Sequence, residues 1–368
     1  MMKKWISFVL CLFVALVSFA QLPELTVEQN LEDYDFAVKY IEDNYSGFPD
    51  KVVDSNRADY ESMKSHLRSQ VEQGERPGWD AVGEYTAWFN DTHLSVHIYF
   101  KDDEGNRIGL TEKYNLKKKR IHYESQMEYA PKPVACKVTD KTFLIRFPSC
   151  GGDPDMKWIK KSVKLFKKSH CRNLILDIRG NGGGDDRNWY PYLALVCDHN
   201  AWESTSEYRN TPQNISYVQK TGWPIANVLK KESVKYPEAQ YLRGGLFQRL
   251  HVRRPDKRVQ KAAVIVDNGV ASAGEGMVLS FRAYSNRVTV FGRDNTLGCL
   301  DYANVATIEM EHCGRTFQMP MSRKFGLPEG AIDATGIAPD VRIPLPLPAR
   351  LTDNIDEWVI WVAEQLEK

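Results

Sequence analysis

Three stretches of the chain are apolar at nearly every position: Leu174 to Ile178, Ala262 to Val266 and Val288 to Phe291. A strand with one wet face alternates apolar and polar residues, so an unbroken apolar run suits a strand in a sheet covered on both sides. The segments between these runs read as helices. Met156 to Lys168 carries Ile159, Val163 and Phe166 on one side, and Gly274 to Tyr284 lies between the second and third runs. Phe143 to Phe147 adds a strand, and Trp358, Trp361, Val362 and Leu366 close the chain with a helix. Strand and helix in alternation predict an α/β core. Asn200 to Pro255 is polar and turn-rich, and is expected as an excursion over that core. Asn304–Glu311 and Thr316–Met321 predict a hairpin around His312-Cys313-Gly314-Arg315.

Upstream the period is helical. Leu31, Tyr34, Val38, Ile41 and Tyr45 fall on one helical face, as do Tyr60, Met63, Leu67 and Val71. Trp79, Val82 and Phe89 suggest a third helix ending at Asn90. Leu94, Val96 and Ile98 then alternate before a turn at Asp102–Asn106, the pattern of a strand and hairpin. The basic cluster Lys117 to Arg120 reads as a solvated edge or loop. These changes divide the chain into residues 21–92, an N-terminal helical cap, 93–133, a short β-rich linker, and 134–368, the α/β core.

Residues 1–20 are expected to be a signal peptide. Lys3 and Lys4 precede an uncharged apolar run from Trp5 to Phe19, and Ser18 and Ala20 put small residues at −3 and −1 of a cut before Gln21. The run is shorter than the ~20 apolar residues that span a bilayer, so export with cleavage to the periplasm or outside is expected rather than stable membrane insertion. Cleavage removes two lysines and no acid, leaving 348 residues with a formal charge of −1. A chain so close to neutral has no electrostatic footprint for nucleic acid. Of seven cysteines, Cys136, Cys150, Cys171, Cys197, Cys299 and Cys313 remain, with no Cys-x-x-Cys pair, so buried thiols and disulfides both stay open. The oligomeric state is not readable.

Three segments carry chemistry. Asp177-Ile178-Arg179-Gly180-Asn181-Gly182-Gly183-Gly184 follows a buried strand, and its glycines let backbone amides point into a cavity, as an oxyanion or phosphate site requires. No Gly-Lys-Ser/Thr follows, which excludes a Walker loop. Asn268-Gly269-Val270-Ala271-Ser272-Ala273-Gly274-Glu275 opens a helix with a serine on a strand-to-helix turn, a place for a nucleophile or for an ordinary N-cap. Asn90-Asp91-Thr92-His93-Leu94-Ser95-Val96-His97 puts His93 at a helix-to-strand junction, where a base can face a cleft. His93 and His97 share a strand face, but no third metal ligand accompanies them.

In combination, these segments resemble the carboxyl-terminal processing (tail-specific) serine protease family. Asp333-Ala334-Thr335-Gly336-Ile337-Ala338-Pro339-Asp340 is similar to its closing "Glu-x-x-Gly-Val-x-Pro-Asp" signature, and Asn90 to His93 to its "Asp-Gly-His-Thr" element. The resemblance implies a spiral α/β core of the ClpP/crotonase kind, a peptide or unfolded-protein substrate, and neither metal nor organic cofactor. It makes Ser272 the nucleophile and assigns the oxyanion hole to the amides of Ala273 and Gly183. The processing branch has a lysine where this chain has Cys299, so the resemblance points to the tricorn-like branch, with His93 as base and Thr92 and Asp333 orienting it. About forty residues separate Ser95 from Cys136, too few for the family's PDZ domain. Two other readings stay open: a non-catalytic ligand- or peptide-binding protein on the same fold, and a crotonase-type acyl-group enzyme.

Overall fold

The computed structural model describes residues 25–101, 107–110, 131–251, 256–333, 335–348 and 355–368, without the side chains of 97–101, 107–110 and 204. The expected signal peptide, the turn at Asp102–Asn106, the basic cluster and the side chain of His97 lie outside the described residues.

The N-terminal region is helical: α1 Val27–Asn44, the short α2 Phe48–Lys51, α3 Arg57–Glu72 and α4 Gly78–Trp88. Thr26 starts α1 with a reciprocal cap, its Oγ1 accepting from the Gln29 amide while Gln29 Oε1 accepts from the Thr26 amide. The apolar stripes bury Tyr34, Ile41, Tyr60, Leu67 and Val82. The helices pack on an antiparallel sheet drawn from distant parts of the chain. Its strands are β1 Ser95–Lys101, β2 Arg107–Leu110, β7 Glu207–Arg209, β8 Tyr241–Arg243, β12 Tyr302–Glu309 and β13 Thr316–Arg323. They run in the order β2-β1-β13-β7-β8, with β12 also paired to β13. Ala306, Phe317, Met319 and Met321 from the β12–β13 hairpin join the helices' apolar residues in one cluster, together with Val218 of α7 Pro212–Lys220 and Leu229 of α8 Ala226–Lys235. The segment expected as an excursion over the core thus contributes to this second core. A separate two-stranded ribbon pairs β6 Glu203–Ser204 with β9 Leu246–Phe247.

The α/β core is a six-stranded sheet in the order β14-β11-β10-β5-β4-β3, comprising β3 Val134–Lys137, β4 Thr142–Arg146, β5 Asn173–Asp177, β10 Lys261–Val266, β11 Val288–Gly292 and β14 Val341–Arg342. All neighbours are parallel except the edge strand β3. The unbroken apolar runs are explained by two covered faces. Phe143, Ile145, Leu174, Leu176, Ala262 and Val264 face helices α5 Met156–Ser169, α6 Tyr190–Val196 and α9 Ala273–Tyr284. Leu144, Ile175, Ala263 and Ile265 face α10 Glu357–Glu367. At the carboxyl ends of β4 and β5, Arg146 and Arg179 bind Asp177 and Asp356 in a buried four-member ion network. Burial opposes ionisation of Asp177, but the guanidiniums of Arg179 and Arg146 hold its carboxyl well below the usual range. Asp356 also caps α10 through the Trp358 and Val359 amides, so the network clips the closing helix to the sheet.

Candidate active site

Ser272 stands between the buried strand β10 and α9, with φ 52° and ψ −120°. A non-glycine residue keeps such a conformation only when its surroundings over-determine it. They do here: the Ala271 amide donates to the Asn181 carbonyl at 2.9 Å, and the Leu297 amide to the Val270 carbonyl at 2.8 Å. Asp267 Oδ1 accepts from both Gly180 and Gly269 at 2.9 Å, joining the glycine loop to the serine turn. Gly183 lies directly against Ser272, since a Cβ there would stand 2.7 Å from Ser272 Cβ. The turn therefore needs glycine at 183 for space as well as for its φ of 103°.

His93 arrives from the other core. After α4 the backbone turns at Asn90, and Asp91 Oδ1 accepts from the His93 amide at 2.9 Å while Oδ2 accepts from Tyr45 at 2.5 Å. The imidazole Nδ1 is 2.7 Å from the Tyr302 carbonyl oxygen, and Nε2 is 3.2 Å from Ser272 Oγ. A carbonyl can only accept, so Nδ1 carries the proton and Nε2 of the neutral ring is free to accept from the serine. This is the tautomer a general base requires. Cys299 Sγ is 3.5 Å from Nδ1 and 3.7 Å from Nε2. Near-equal distances to both nitrogens place the sulfur over the ring face, in line with neither the Nδ1–H bond nor the Nε2 lone pair. Burial pushes the thiol well above its ordinary range, so it stays protonated.

The remaining expected residues sit close by, in altered positions. Asp333 was expected to help orient His93, and the group that meets Nδ1 is the Tyr302 carbonyl. Asp333 Oδ1 instead accepts from the Leu300 and Asp301 amides at 2.8 Å, and Asp301 Oδ2 accepts in return from Ile332 and Asp333 at 2.7 and 2.8 Å. The buried Thr92 hydroxyl faces the Cys299 thiol, and no hydrogen bond from it to the imidazole is formed. The Gly183 amide, expected in the oxyanion hole, donates to Asn181 Oδ1 at 3.0 Å. Ala273 opens α9, and amides of a first helical turn have no partner within the helix, which leaves its N–H for a ligand. Burial, with the nearby Asp91 charge adding to it, pushes the Asp333 carboxyl up to about 7.

Two contributors escaped the sequence reading. Tyr302 acts through its backbone and leaves no side-chain signal. Glu275 is fully buried and accepts from the Ser272, Gly298 and Cys299 amides and the Thr296 hydroxyl. Its spacing, three residues after a serine that opens a helix, is the signal that could have found it. Among the described residues no group of His, Cys, Asp and Glu could hold a metal ion, and the six cysteines are free thiols.

The profile of peptidase family S41 matches residues 141–343, more than half of the chain. The chain belongs to peptidase family S41. The match takes in the glycine loop, Ser272, Cys299 and Asp333, whereas His93 lies outside it. Mature CPAF, 11% identical, superposes over 93% of this chain and 96% of its own with a TM-score of 0.60. A candidate peptidase from Parabacteroides merdae, 14% identical, does so over 92% and 96% with a TM-score of 0.59. CPAF complexed with lactacystin superposes at 11% identity and a TM-score of 0.58, over 93% and 97%. At these identities the likeness shows the fold, and S41 family membership carries the peptidase assignment. No curated protein matches the sequence.

Proposed function

We propose that this S41 protein is an exported serine endopeptidase that cleaves peptides or unfolded protein segments through a Ser–His acyl-enzyme mechanism of the tricorn-like type. The observation that carries it is the 3.2 Å pairing of Ser272 Oγ with the unprotonated nitrogen of His93. In this reading His93 takes the Ser272 proton as the hydroxyl attacks the scissile carbonyl, then returns it to the leaving amine. The Tyr302 carbonyl holds the ring in register, and the Asp91 and Asp333 carboxylates offset the imidazolium charge as it forms. The Ala273 amide at the positive end of α9 supplies one oxyanion donor, and the Gly183 amide becomes the other by exchanging Asn181 Oδ1 for the oxyanion. Cys299 stands where a processing-type lysine would, so no Ser–Lys dyad operates.

A fluorophosphonate probe and casein hydrolysis test the proposal together. Wild type is expected to be labelled and to cleave, and Ser272→Ala to do neither while remaining folded. An unlabelled, inert wild type would favour a binding protein on this fold. Export is tested by fractionation, with a mature N-terminus at Gln21 expected.

A further inference from the structure

We infer that Glu275 is a positioning residue that holds Ser272 and the wall behind His93 to one anchor. Its Oε2 accepts from the Ser272 amide at 3.1 Å and from the Cys299 amide at 2.8 Å. Its Oε1 accepts from the Thr296 hydroxyl at 2.5 Å and from the Gly298 amide at 2.7 Å. A helix cap needs only the first of these bonds. The other three come from a loop that starts twenty-one residues further on and carries the thiol lying against the imidazole. One carboxylate thus fixes the backbone of the nucleophile relative to the surface on which the base rests, and any slip between them opens the Ser272–His93 pair.

The chemistry of the group supports this. Glu275 has no ion-pair partner among the described residues, and four N–H and O–H donors converge on it. Burial pushes its carboxyl above the usual range even so. A glutamine has the same shape but only one acceptor oxygen, and its NH₂ would face donors on the other side. One of the two pairs, either Ser272 with Cys299 or Thr296 with Gly298, is then lost. A residue that served folding alone would lower the yield or melting temperature and leave each folded molecule active. A positioning residue loses turnover in molecules that remain folded, because a displacement of about 1 Å in a reacting pair costs about 10²-fold.

This inference rests on the Ser–His reading above, and its test separates the two. In folded Glu275→Gln, kcat is expected to fall about 10²-fold with KM within about twofold, and fluorophosphonate labelling to slow in step. The acid limb of kcat/KM should stay in place, since His93 remains the base. Thr296→Val keeps the carboxylate and removes the hydroxyl that donates to it and accepts from the Ile337 amide; it should lose several-fold in kcat, and Thr296→Ser should recover it. If Glu275→Gln does not fold, the Thr296 pair decides, and equal kcat in the valine and serine variants would overturn the inference. Wild-type labelling rates in folded Glu275→Gln would overturn it alone. A wild type inert to the probe would remove the Ser–His reading and this inference together.

Discussion

At the scale of single residues, the site depends on backbone as much as on side chains. Ser272 holds a positive φ that costs a non-glycine residue on the order of 1–3 kcal/mol, so its two simplest replacements should diverge. Ser272→Ala keeps the Cβ and the strain, and is expected to melt with wild type while losing all turnover. Ser272→Gly releases the strain, is nearly as good at an N-cap, and should melt roughly 1–3 °C above Ser272→Ala by calorimetry. A glycine variant that melts lower would show that the turn is relaxed. For His93→Ala the expectation is a folded protein without the acid limb of kcat/KM and with nearly all the rate gone, because a base must be neutral to take the serine proton. Near-wild-type turnover in that variant would defeat the assignment. Cys299→Ala should retain most of its kcat, since a protonated thiol over the ring is neither base nor nucleophile. Complete loss with the fold intact would give the sulfur a chemical role.

At the scale of elements, the strands and the nucleophile turn were legible because their signals are local. An apolar run reports two covered faces, and Ala-Ser-Ala-Gly-Glu after such a run reports a turn into a helix. The third partner of the histidine was not legible, because a carbonyl has no sequence signature and the resemblance drew attention to Asp333. That residue does matter, but as half of a reciprocal clasp with Asp301 that fixes the backbone entering β12, from which the Tyr302 carbonyl reaches His93. The glycine loop after β5 was read for its backbone amides alone, whereas the charged residues that precede it, Asp177 and Arg179, clip α10 to the sheet. Asp356→Ala tests that clip. It removes the cap of α10 and strips Arg146 and Arg179 of a shared partner, both buried at 1% exposure or less. Breaking a buried pair of this kind costs about 3–5 kcal/mol, readable as a lower urea midpoint. Turnover of the folded fraction should be unchanged, because the network touches neither Ser272 nor His93. An unchanged midpoint would mean that the network adds nothing to stability.

At the scale of the whole molecule, the Ser272–His93 pair sits where two cores meet. Ser272 is built from the parallel sheet and its helices, and His93 from the helical region and the antiparallel sheet, so the pair exists only when both are docked. The shared core of that second half could not be read from sequence, since it brings the Tyr40 ring against Phe317 from opposite ends of the chain. The seam between the cores is also where carboxylates collect, and this gives the fold a pH dependence whose sign can be worked out. Asp333 titrates at about 7 in the folded protein, far above an ordinary aspartate. Between roughly pH 4 and 7 the folded state binds a proton that the unfolded chain has released. Its stabilisation is therefore complete below the ordinary aspartate range and is lost as pH rises through about 7. In the mechanism proposed above the ionised carboxylate assists the base, so on that reading stability and turnover should move in opposite directions across this window. Asp333→Asn separates them. It retains an oxygen for the Leu300 and Asp301 amides and cannot ionise, so it should equal wild type in urea midpoint near pH 4 and exceed it at pH 8. Its kcat at pH 8 should fall, because the electrostatic partner is gone. A midpoint difference that does not change with pH would show that Asp333 is ionised alike in the folded and unfolded chain, and the link between the clasp and the base would fail.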